Sequence, residues 1–405
     1  MKAEPFPPMA MNGASGRILV IAENQVRECG GSELFVRLTE FRSRPGFMEV
    51  LKSTHRTAGT NFLVRIWRSR IVRYIKNRSR MVAAVYVPLI YSLLAQRLER
   101  ELYQKYRDSQ VDGVWCPSNE LIPMVARSVA KQLRCPLHVS VFDLPYTFSL
   151  QEPELRAIRA GFEKWAKEAG SLDFASPGMS EYFRRFRASS SERDIAIWSS
   201  AGVVPESQTL HITRPRMSSI AFCGSLRFFR EMRALNDGLA LLERNHGRRI
   251  ILKVFSGKRL AMSNIQYMGF LTDRVQLAAA LGQCDVAYSP LSIDIKDREL
   301  VETSFPGKMA TYLQSNIPII AHAPSSATNY RFVTEHQVGI GIDTRNPQVI
   351  ADRIIEYEAA HELRERHARN CNEVLRVQFD PITRKEYFSH LFESSLEYAP
   401  AKDAR

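Results

Sequence analysis

Residues 218–257 read SSIAFCGSLRFFREMRALNDGLALLERNHGRRIILKVFSG, and this stretch decides the fold class. An apolar run from Ser218 to Ser225 is followed by a helical pattern from Arg230 to Asn245 and by a second apolar run that ends at Gly257. Strand–helix–strand units of this kind build parallel sheets covered by helices. The stretch therefore predicts a doubly wound α/β unit.

The same alternation extends in both directions along the chain. Downstream, the pattern predicts helices at 274–281 and from Pro306, and strands at 265–270, 285–291, 317–323 and 338–342. Upstream, it predicts helices at 121–133 and 179–186, and strands at 17–22, 48–51, 112–118, 136–143 and 171–178. We therefore predict an α/β protein with two doubly wound, Rossmann-like domains.

The stretch from Ile195 to Met217 is rich in Ser, Pro and Gly and has little helical period, which is typical of a crossing between domains. We place the boundary within it. The predicted divisions are a disordered tail at 1–16, a first domain at 17–210, a second domain at 211–380, and a C-terminal helix at 381–405 that packs back on the first domain.

The composition indicates a folded protein with an anionic partner. The 405 residues carry a formal net charge of +13, which favours nucleic acid, acidic lipid or a phosphorylated substrate as that partner. The six cysteines are scattered without a CxxC pair, and the first 16 residues lack an apolar signal segment. The longest apolar run, 81–95, is shorter than the ~20 residues of a membrane-spanning helix. We expect a cytoplasmic protein.

The usual nucleotide and metal motifs are missing from the sequence. It contains no GxxxxGK[ST], no GxGxxG after the first strand, no Asp-x-Asp and no HExxH. We therefore predict neither a metal site nor a bound cofactor. If the protein binds nucleotide phosphates, its own side chains must supply the positive charge.

Four segments at the ends of predicted strands could supply it, because ligands of such sheets bind outside the carboxyl ends of the strands. Ser304 is predicted as the N-cap of a helix with Pro306 in its first turn. The candidate ligand-binding residues are Gly30 and Gly31; Gly224, Ser225, Arg227 and Arg230; Gly257 and Lys258; and Glu302, Ser304, Gly307 and Lys308.

Two carboxylates have alternative roles. Glu302 either accepts hydrogen bonds from the hydroxyl groups of a sugar or ribose, or pairs with Arg298 on a solvated loop. Asp143 either faces the cleft from the first domain or only forms a turn before Leu144 and Pro145.

The segment from Arg56 to Arg80 is strongly basic. It contains eight Lys or Arg residues and no acidic residue, and its apolar residues recur at helical spacing. This pattern is typical of a helix that lies in a membrane interface. An ordinary amphipathic helix packed on the first domain, with a solvated basic face, would show the same pattern.

The chain resembles the GT-B glycosyltransferases and is most similar to the retaining enzymes of family 4. The resemblance covers about Arg17 to Tyr398. It is carried by the motifs RILVIAENQVRECGGSELFVRL, SLDFASPGMSEYFRRF, AFCGSLRFFR, KVFSG, NIQYMGFLTDRVQLAAALGQCDVAYSPL and ETSFPGKMATYLQSNIPIIAHAPSSA. It implies two Rossmann-like domains that face a central cleft.

The resemblance also implies an activity, namely transfer of a sugar from a UDP- or GDP-linked donor on the second domain to a glycan or lipid-linked acceptor. Arg230 and Lys308 match the cations that hold the donor diphosphate, and Gly30 and Gly31 match a glycine loop facing the cleft. Asp143 is the candidate for assisting the acceptor.

Two positions depart from the family pattern. Ser225 replaces the usual Arg, with Arg227 as a possible substitute, and Thr311 replaces the later Glu of a Glu pair. Two alternatives to the enzyme therefore stay open: an inactive GT-B protein that binds or scaffolds, and a nucleic-acid-binding protein. The second alternative lacks RNA-module and helix-turn-helix motifs.

Overall fold

The computed structural model describes residues 18–22, 47–52, 80–118, 122–144, 161–187, 194–196 and 214–379. This part of the chain forms two separate six-stranded sheets, and the hydrogen-bonded strand pairs in both sheets are parallel. The predicted α/β class with two parallel sheets is confirmed.

The first sheet has the order β2-β1-β3-β4-β5-β6. Its strands are β1 (Ile18–Ala22), β2 (Phe47–Lys52), β3 (Gly113–Pro117), β4 (Leu137–Val141), β5 (Ser171–Phe174) and β6 (Asp194–Ala196). Its helices include α1 (Arg80–Tyr106), α2 (Ile122–Leu133) and α3 (Pro177–Phe183). Residues 161–168 are also helical.

The second sheet has the order β12-β11-β10-β7-β8-β9. Its strands are β7 (Ser219–Cys223), β8 (Ile251–Phe255), β9 (Ile265–Gly269), β10 (Val286–Pro290), β11 (Ile319–His322) and β12 (Gly339–Ile342). Its helices are α4 (Phe229–His246), α5 (Arg274–Leu281), α6 (Arg298–Thr303), α7 (Lys308–Gln314), α8 (Thr328–Glu335), α9 (Pro347–Ala359) and α10 (His361–Gln378). A short 3-10 turn, Ile295–Asp297, precedes α6.

The central strands β7, β10 and β11 of the second sheet are buried on both faces, which explains why they read as continuous apolar runs. In β7, Ile220 and Phe222 belong to one hydrophobic cluster, whereas Ala221 and Cys223 belong to the cluster on the opposite face. The first sheet packs one face on a core of its own, which contains Val139 of β4. Each sheet therefore has its own hydrophobic core.

The helix predicted at 274–281 has the predicted bounds, and its N-cap Asp273 accepts a hydrogen bond from the Gln276 amide at 2.8 Å. Most other predicted elements differ from the observed bounds by one to four residues, and two of these differences bear on the site. The strand predicted at 171–178 ends at Phe174, because Ser176 caps the helix that follows. The helix predicted from Pro306 begins at Lys308.

Several predictions lie outside the described residues. These are the tail at 1–16, the boundary between 210 and 211, the C-terminal helix at 381–405, and nearly all of the basic segment, since only Arg80 of Arg56 to Arg80 is described. None of the helices in the described ranges combines the length and the apolar character needed to cross a bilayer.

Candidate functional site at the switch point of the second sheet

The order of the second sheet reverses between β7 and β10. From β7 the chain proceeds outward through β8 to β9, and from β10 it proceeds outward in the other direction to β12. Ligands of open parallel sheets bind in the crevice outside the carboxyl ends of the strands at such a switch point. Here the crevice begins at Gly224, after β7, and at Leu291, after β10.

Three of the predicted glycines border open space at this edge of the sheet. Gly224 has a φ of 108°, and its amide donates a hydrogen bond to the Phe255 carbonyl at 3.0 Å. A Cβ atom added to Gly224, Gly257 or Gly307 would meet no other atom within 4 Å. A ligand can therefore approach the backbone at all three turns, and the positive φ of Gly224 strains any residue with a side chain.

Lys308 supplies an unpaired positive charge to this edge. Its ammonium lies 4.2 Å from the centroid of the Phe222 ring at the carboxyl end of β7, which is a cation–π contact. Burial lowers the pKa of this ammonium to about 8. No carboxylate in the described part of the chain forms an ion pair with it. A desolvated cation without a protein counterion is an expected binding group for an anion.

Tyr312 fixes the helix that carries Lys308 against the sheet. The two residues are four positions apart on α7, so their side chains lie on the same side of the helix. The Tyr312 hydroxyl accepts a hydrogen bond from the Cys223 amide at 3.1 Å and donates one to the Tyr288 carbonyl at 2.9 Å. It thus ties α7 to β7 and β10, the two strands that border the switch point.

Arg230 belongs to a network of two cations and two carboxylates. Its guanidinium contacts the Asp294 carboxylate at 3.2 Å, and its side chain is 69% exposed. Arg345 also contacts Asp294, at 2.7 Å, and donates hydrogen bonds to the buried Glu231. The hydrogen bond from Arg345 is the main reason that the pKa of Asp294 is lowered. Arg345 and Asp294 are more buried than Arg230, so Arg230 is the exposed cation of this network.

The sequence reasoning missed Tyr312, Asp294, Glu231 and Arg345. A signal for one of them exists in the sequence. Glu231 lies next to Met232 on the apolar face of the helix that follows β7, where an acidic residue needs a partner. The identity of that partner, 114 positions away, has no local signal.

The remaining cations and Asp143 lie around the crevice. Arg227, Ser225 and Lys258 are exposed after β7 and β8, and the Lys258 amide donates a hydrogen bond to Ser256 at 3.3 Å. Asp143 follows β4 of the first sheet. Part of its surface is exposed, while desolvation by the surrounding protein raises the pKa of its carboxyl group to about 6 and the positive charge of Arg227, in the second domain, opposes this shift. Asp143 therefore faces the second domain across the crevice.

The segment before Lys308 differs from its prediction. Ser304 is the C-cap of α6 and not the N-cap of α7, a position that Gly307 occupies. Glu302 lies in α6, and its carboxylate accepts a hydrogen bond from Arg298 at 2.7 Å. The structure records this pairing with Arg298, and the binding of a sugar or ribose hydroxyl by Glu302 stays a prediction.

Thr311 lies half-buried one turn into α7. Gly30 and Gly31 are outside the described residues, so their predicted role stays a prediction. In the described ranges, no three His, Cys, Asp or Glu side chains are grouped so that they could hold a metal ion.

Solved structures with the same fold cover nearly the whole chain. HepE of Anabaena, in complex with UDP and glucose, is 14% identical over 94% of this chain and 100% of its own, with a TM-score of 0.59. The trehalose-6-phosphate synthase of Burkholderia multivorans is 11% identical over 97% of this chain and 99% of its own, with a TM-score of 0.62. A UDP-forming trehalose-phosphate synthase of Burkholderia xenovorans is 13% identical over 95% of this chain and 99% of its own, with a TM-score of 0.59.

A scan against models of known protein families finds no match, and neither does a search among curated protein sequences. The structural likeness, at these low identities, establishes the fold and nothing further. The chain has the GT-B fold, as the resemblance of its sequence predicts.

Proposed function

We propose that this protein is a glycosyltransferase that moves a sugar from a nucleotide-sugar donor, bound at the switch point of the second domain, to a glycan or lipid-linked acceptor. One observation carries the proposal: the half-buried Lys308 places its ammonium at the switch point, where no carboxylate of the described residues pairs with it, and three open glycine turns border the same edge. A nucleoside diphosphate supplies both the anion and the close approach to backbone that this arrangement suits.

The cations at the edge can stabilise the departing diphosphate. When the bond between the anomeric carbon and the phosphate oxygen breaks, negative charge develops on the diphosphate, and Lys308 and Arg230 are placed to interact with it. In this proposal, seven further residues line the side of the crevice that receives the diphosphate. They are Gly224, Ser225, Arg227, Gly257, Lys258, Ser304 and Gly307. The site then needs no metal ion and no cofactor.

Asp143 suits the acceptor side of the reaction. With a pKa of about 6, its carboxyl group is mostly ionised at neutral pH and can accept the proton of the acceptor hydroxyl as that oxygen bonds to the anomeric carbon. The resemblance to family 4 supports a retaining outcome. The bound UDP in HepE favours UDP as the nucleotide of the donor.

The acceptor and its location are proposed from the charge of the chain. The basic segment from Arg56 to Arg80 suits an anionic membrane surface, and a lipid-linked acceptor in cell-surface polysaccharide synthesis would be presented there. The protein would then be cytoplasmic and peripheral on the inner face of the membrane.

Calorimetric titration with UDP and GDP tests the core of the proposal. We expect at least one of them to bind, and we expect the Lys308→Met variant to bind it at least about tenfold more weakly, because a charge-assisted hydrogen bond contributes roughly 1.5–3 kcal/mol. Uridine and guanosine, which lack phosphate, should bind the wild type and the variant equally. If neither nucleotide binds the wild type, the donor site is wrong.

A second candidate function is a GT-B protein that binds nucleotide without transferring sugar. The pairing of Glu302 with Arg298, together with Thr311 at the position of the second Glu, favours it. Both candidates bind the nucleotide. Release of UDP from a UDP-sugar, in the presence of a membrane extract as the source of acceptor, occurs only with the enzyme.

A further inference from the structure

A short helix of the first domain contacts the segment that leads to Lys308. The helix α3 follows β5 of the first sheet and packs against α6 of the second domain. Lys308 lies five positions after Thr303, the last residue of α6. The contact is therefore made where the segment that leads to Lys308 begins.

The contact is close and involves main-chain atoms. The Ser176 hydroxyl donates a hydrogen bond to the Thr303 carbonyl at 2.7 Å and accepts one from the Met179 amide at 3.1 Å, so the group that caps α3 also binds the end of α6. A Cβ atom added to Gly178 would lie 2.2 Å from the Glu302 carbonyl oxygen. The two helices can approach this closely only because residue 178 has no side chain.

Hydroxyl groups satisfy the carbonyls at the end of α6. The last carbonyls of a helix lack partners within the helix and need other donors. Thr328 of the second domain donates to the Val301 and Glu302 carbonyls at 3.2 and 3.0 Å, and Ser176 of the first domain donates to Thr303. The last of these three carbonyls thus depends on the other domain.

The rest of the segment is anchored separately. Phe305 is buried, with its ring centroid 5.0 Å from that of Phe332. The Met309 amide donates to the Pro306 carbonyl at 2.9 Å. The segment from Thr303 to Lys308 is thus held at its start by the two hydroxyls, in its middle by Phe305 and at its end by α7.

We propose that Ser176 is a positioning residue for the phosphate site: from the first domain, it holds the end of α6 and thereby fixes the backbone that presents Lys308. This inference rests on the proposed function in so far as Lys308 binds phosphate. The contact also makes the placement of Lys308 depend on how the two domains pack.

Hydrogen exchange of the amides at 304–309 tests the inference without any ligand. In the Ser176→Ala variant, these amides should exchange about three- to tenfold faster, the change expected when one net hydrogen bond is lost. The matched control is Ser180→Ala, since Ser180 lies half-buried on the same helix and makes no hydrogen bond to the second domain among the described contacts. Equal exchange in the wild type and the Ser176→Ala variant overturns the proposal.

The ratio of the affinities for UDP and uridine gives a second readout, which a merely structural role would not change. The ratio should fall about three- to tenfold in the Ser176→Ala variant, by the same hydrogen-bond magnitude, and should stay unchanged in the Ser180→Ala variant. If the amides exchange faster while the ratio stays constant, Ser176 does not position Lys308. If the wild type binds no UDP, the proposed function fails, and the exchange measurement alone decides whether Ser176 holds the segment.

A steric variant provides an independent test should Ser176→Ala fail to fold. Gly178→Ala forces the Glu302 carbonyl away, so the amides at 304–309 should again exchange faster. Gly170→Ala is its control, because a Cβ atom there meets other atoms only at 3.4 Å or more. Unchanged exchange in a folded Gly178→Ala variant contradicts the proposal.

Discussion

Replacing Lys308 by Met should stabilise the ligand-free protein and weaken its response to a nucleoside diphosphate. In the folded state, burial lowers the pKa of this ammonium from 10.5 to about 8. At 1.36 kcal/mol per pH unit, the difference corresponds to roughly 3 kcal/mol of destabilisation at neutral pH. Met retains the length of the side chain and its contact with the Phe222 ring but loses the charge, so we expect a gain of about 1–3 kcal/mol.

The stability advantage of the Lys308→Met variant over the wild type should decrease as the pH rises. Below pH 8, Lys308 is charged in both the folded and the unfolded state, and the whole cost is present. Between pH 8 and 10.5, the unfolded state binds more protons than the folded state, so the stability of the wild type rises with pH while that of the Lys308→Met variant does not. The advantage of the variant should therefore fall to about half between pH 7 and pH 9.5.

The assay has to report on the second domain. All four tryptophans, Trp67, Trp115, Trp165 and Trp198, precede residue 214, so tryptophan fluorescence follows the first half of the chain. Exchange of the buried amides of β7 and β10 in increasing urea measures the free energy of unfolding of the second sheet instead. The exposed Lys296 provides the control, since Lys296→Met should change this free energy by less than about 0.5 kcal/mol.

Ligand should reduce the stability advantage of the Lys308→Met variant by about 1 kcal/mol or more. At a UDP concentration of 100 times its Kd, the wild type gains about 2.7 kcal/mol, whereas the variant gains much less. A Lys308→Met variant that is less stable than the wild type at pH 7 without ligand, or an advantage that does not change with pH, would refute the argument that the ammonium is buried without a counterion.

Four further outcomes are expected. UDP affinity should fall as the pH rises above 8, because Lys308 loses its proton, and calorimetry between pH 7 and 9.5 measures this; constant affinity would exclude Lys308 from the phosphate site. Sugar transfer should increase as the pH rises through about 6, where Asp143 ionises, and Asp143→Asn should remove that dependence; an identical profile in the variant would assign the titration to another group. Transfer should survive EDTA, and activity that EDTA removes and Mg²⁺ or Mn²⁺ restores would reveal a metal site. The wild type should sediment with phosphatidylglycerol vesicles at low salt, and a variant with Arg68→Glu, Arg73→Glu and Lys76→Glu should stay in solution, since each Lys or Arg near the surface contributes about 1 kcal/mol; equal sedimentation of both would remove the membrane role of the basic segment.

The parts of the fold that local sequence decides could be predicted. The apolar run of β7 and the amphipathic helix after it follow from hydrophobic periodicity, and the carboxyl-end rule then places Gly224 and Gly257 at the edge of the sheet. The errors arose where an element is too short for a period to appear. Arg298–Thr303 forms a helix of only six residues, and without it Ser304 is read as the start of the next helix rather than as the end of this one.

The chemical state of the site depends on contacts between distant segments. Two contacts have no local signal in the sequence: the position of Phe222 under the Lys308 ammonium, and the hydrogen bond that the Cys223 amide donates to Tyr312. In each case 86 or more positions separate the partners. The sequence therefore predicts that Lys308 is present at the strand edge. Its lowered pKa and the lack of a counterion follow only from packing.

The balance of charge at the switch point limits how a diphosphate can be held. Arg230 and Arg345 are offset by Glu231 and Asp294, so this network adds no net charge, whereas Lys308 and the exposed Lys258 form no ion pair with a described carboxylate. A ligand with more than one negative charge can therefore draw Arg230 away from Asp294, because Arg345 keeps its own bond to that carboxylate. On this argument, binding of the diphosphate breaks the exposed ion pair of Arg230 and leaves the buried one of Glu231 intact.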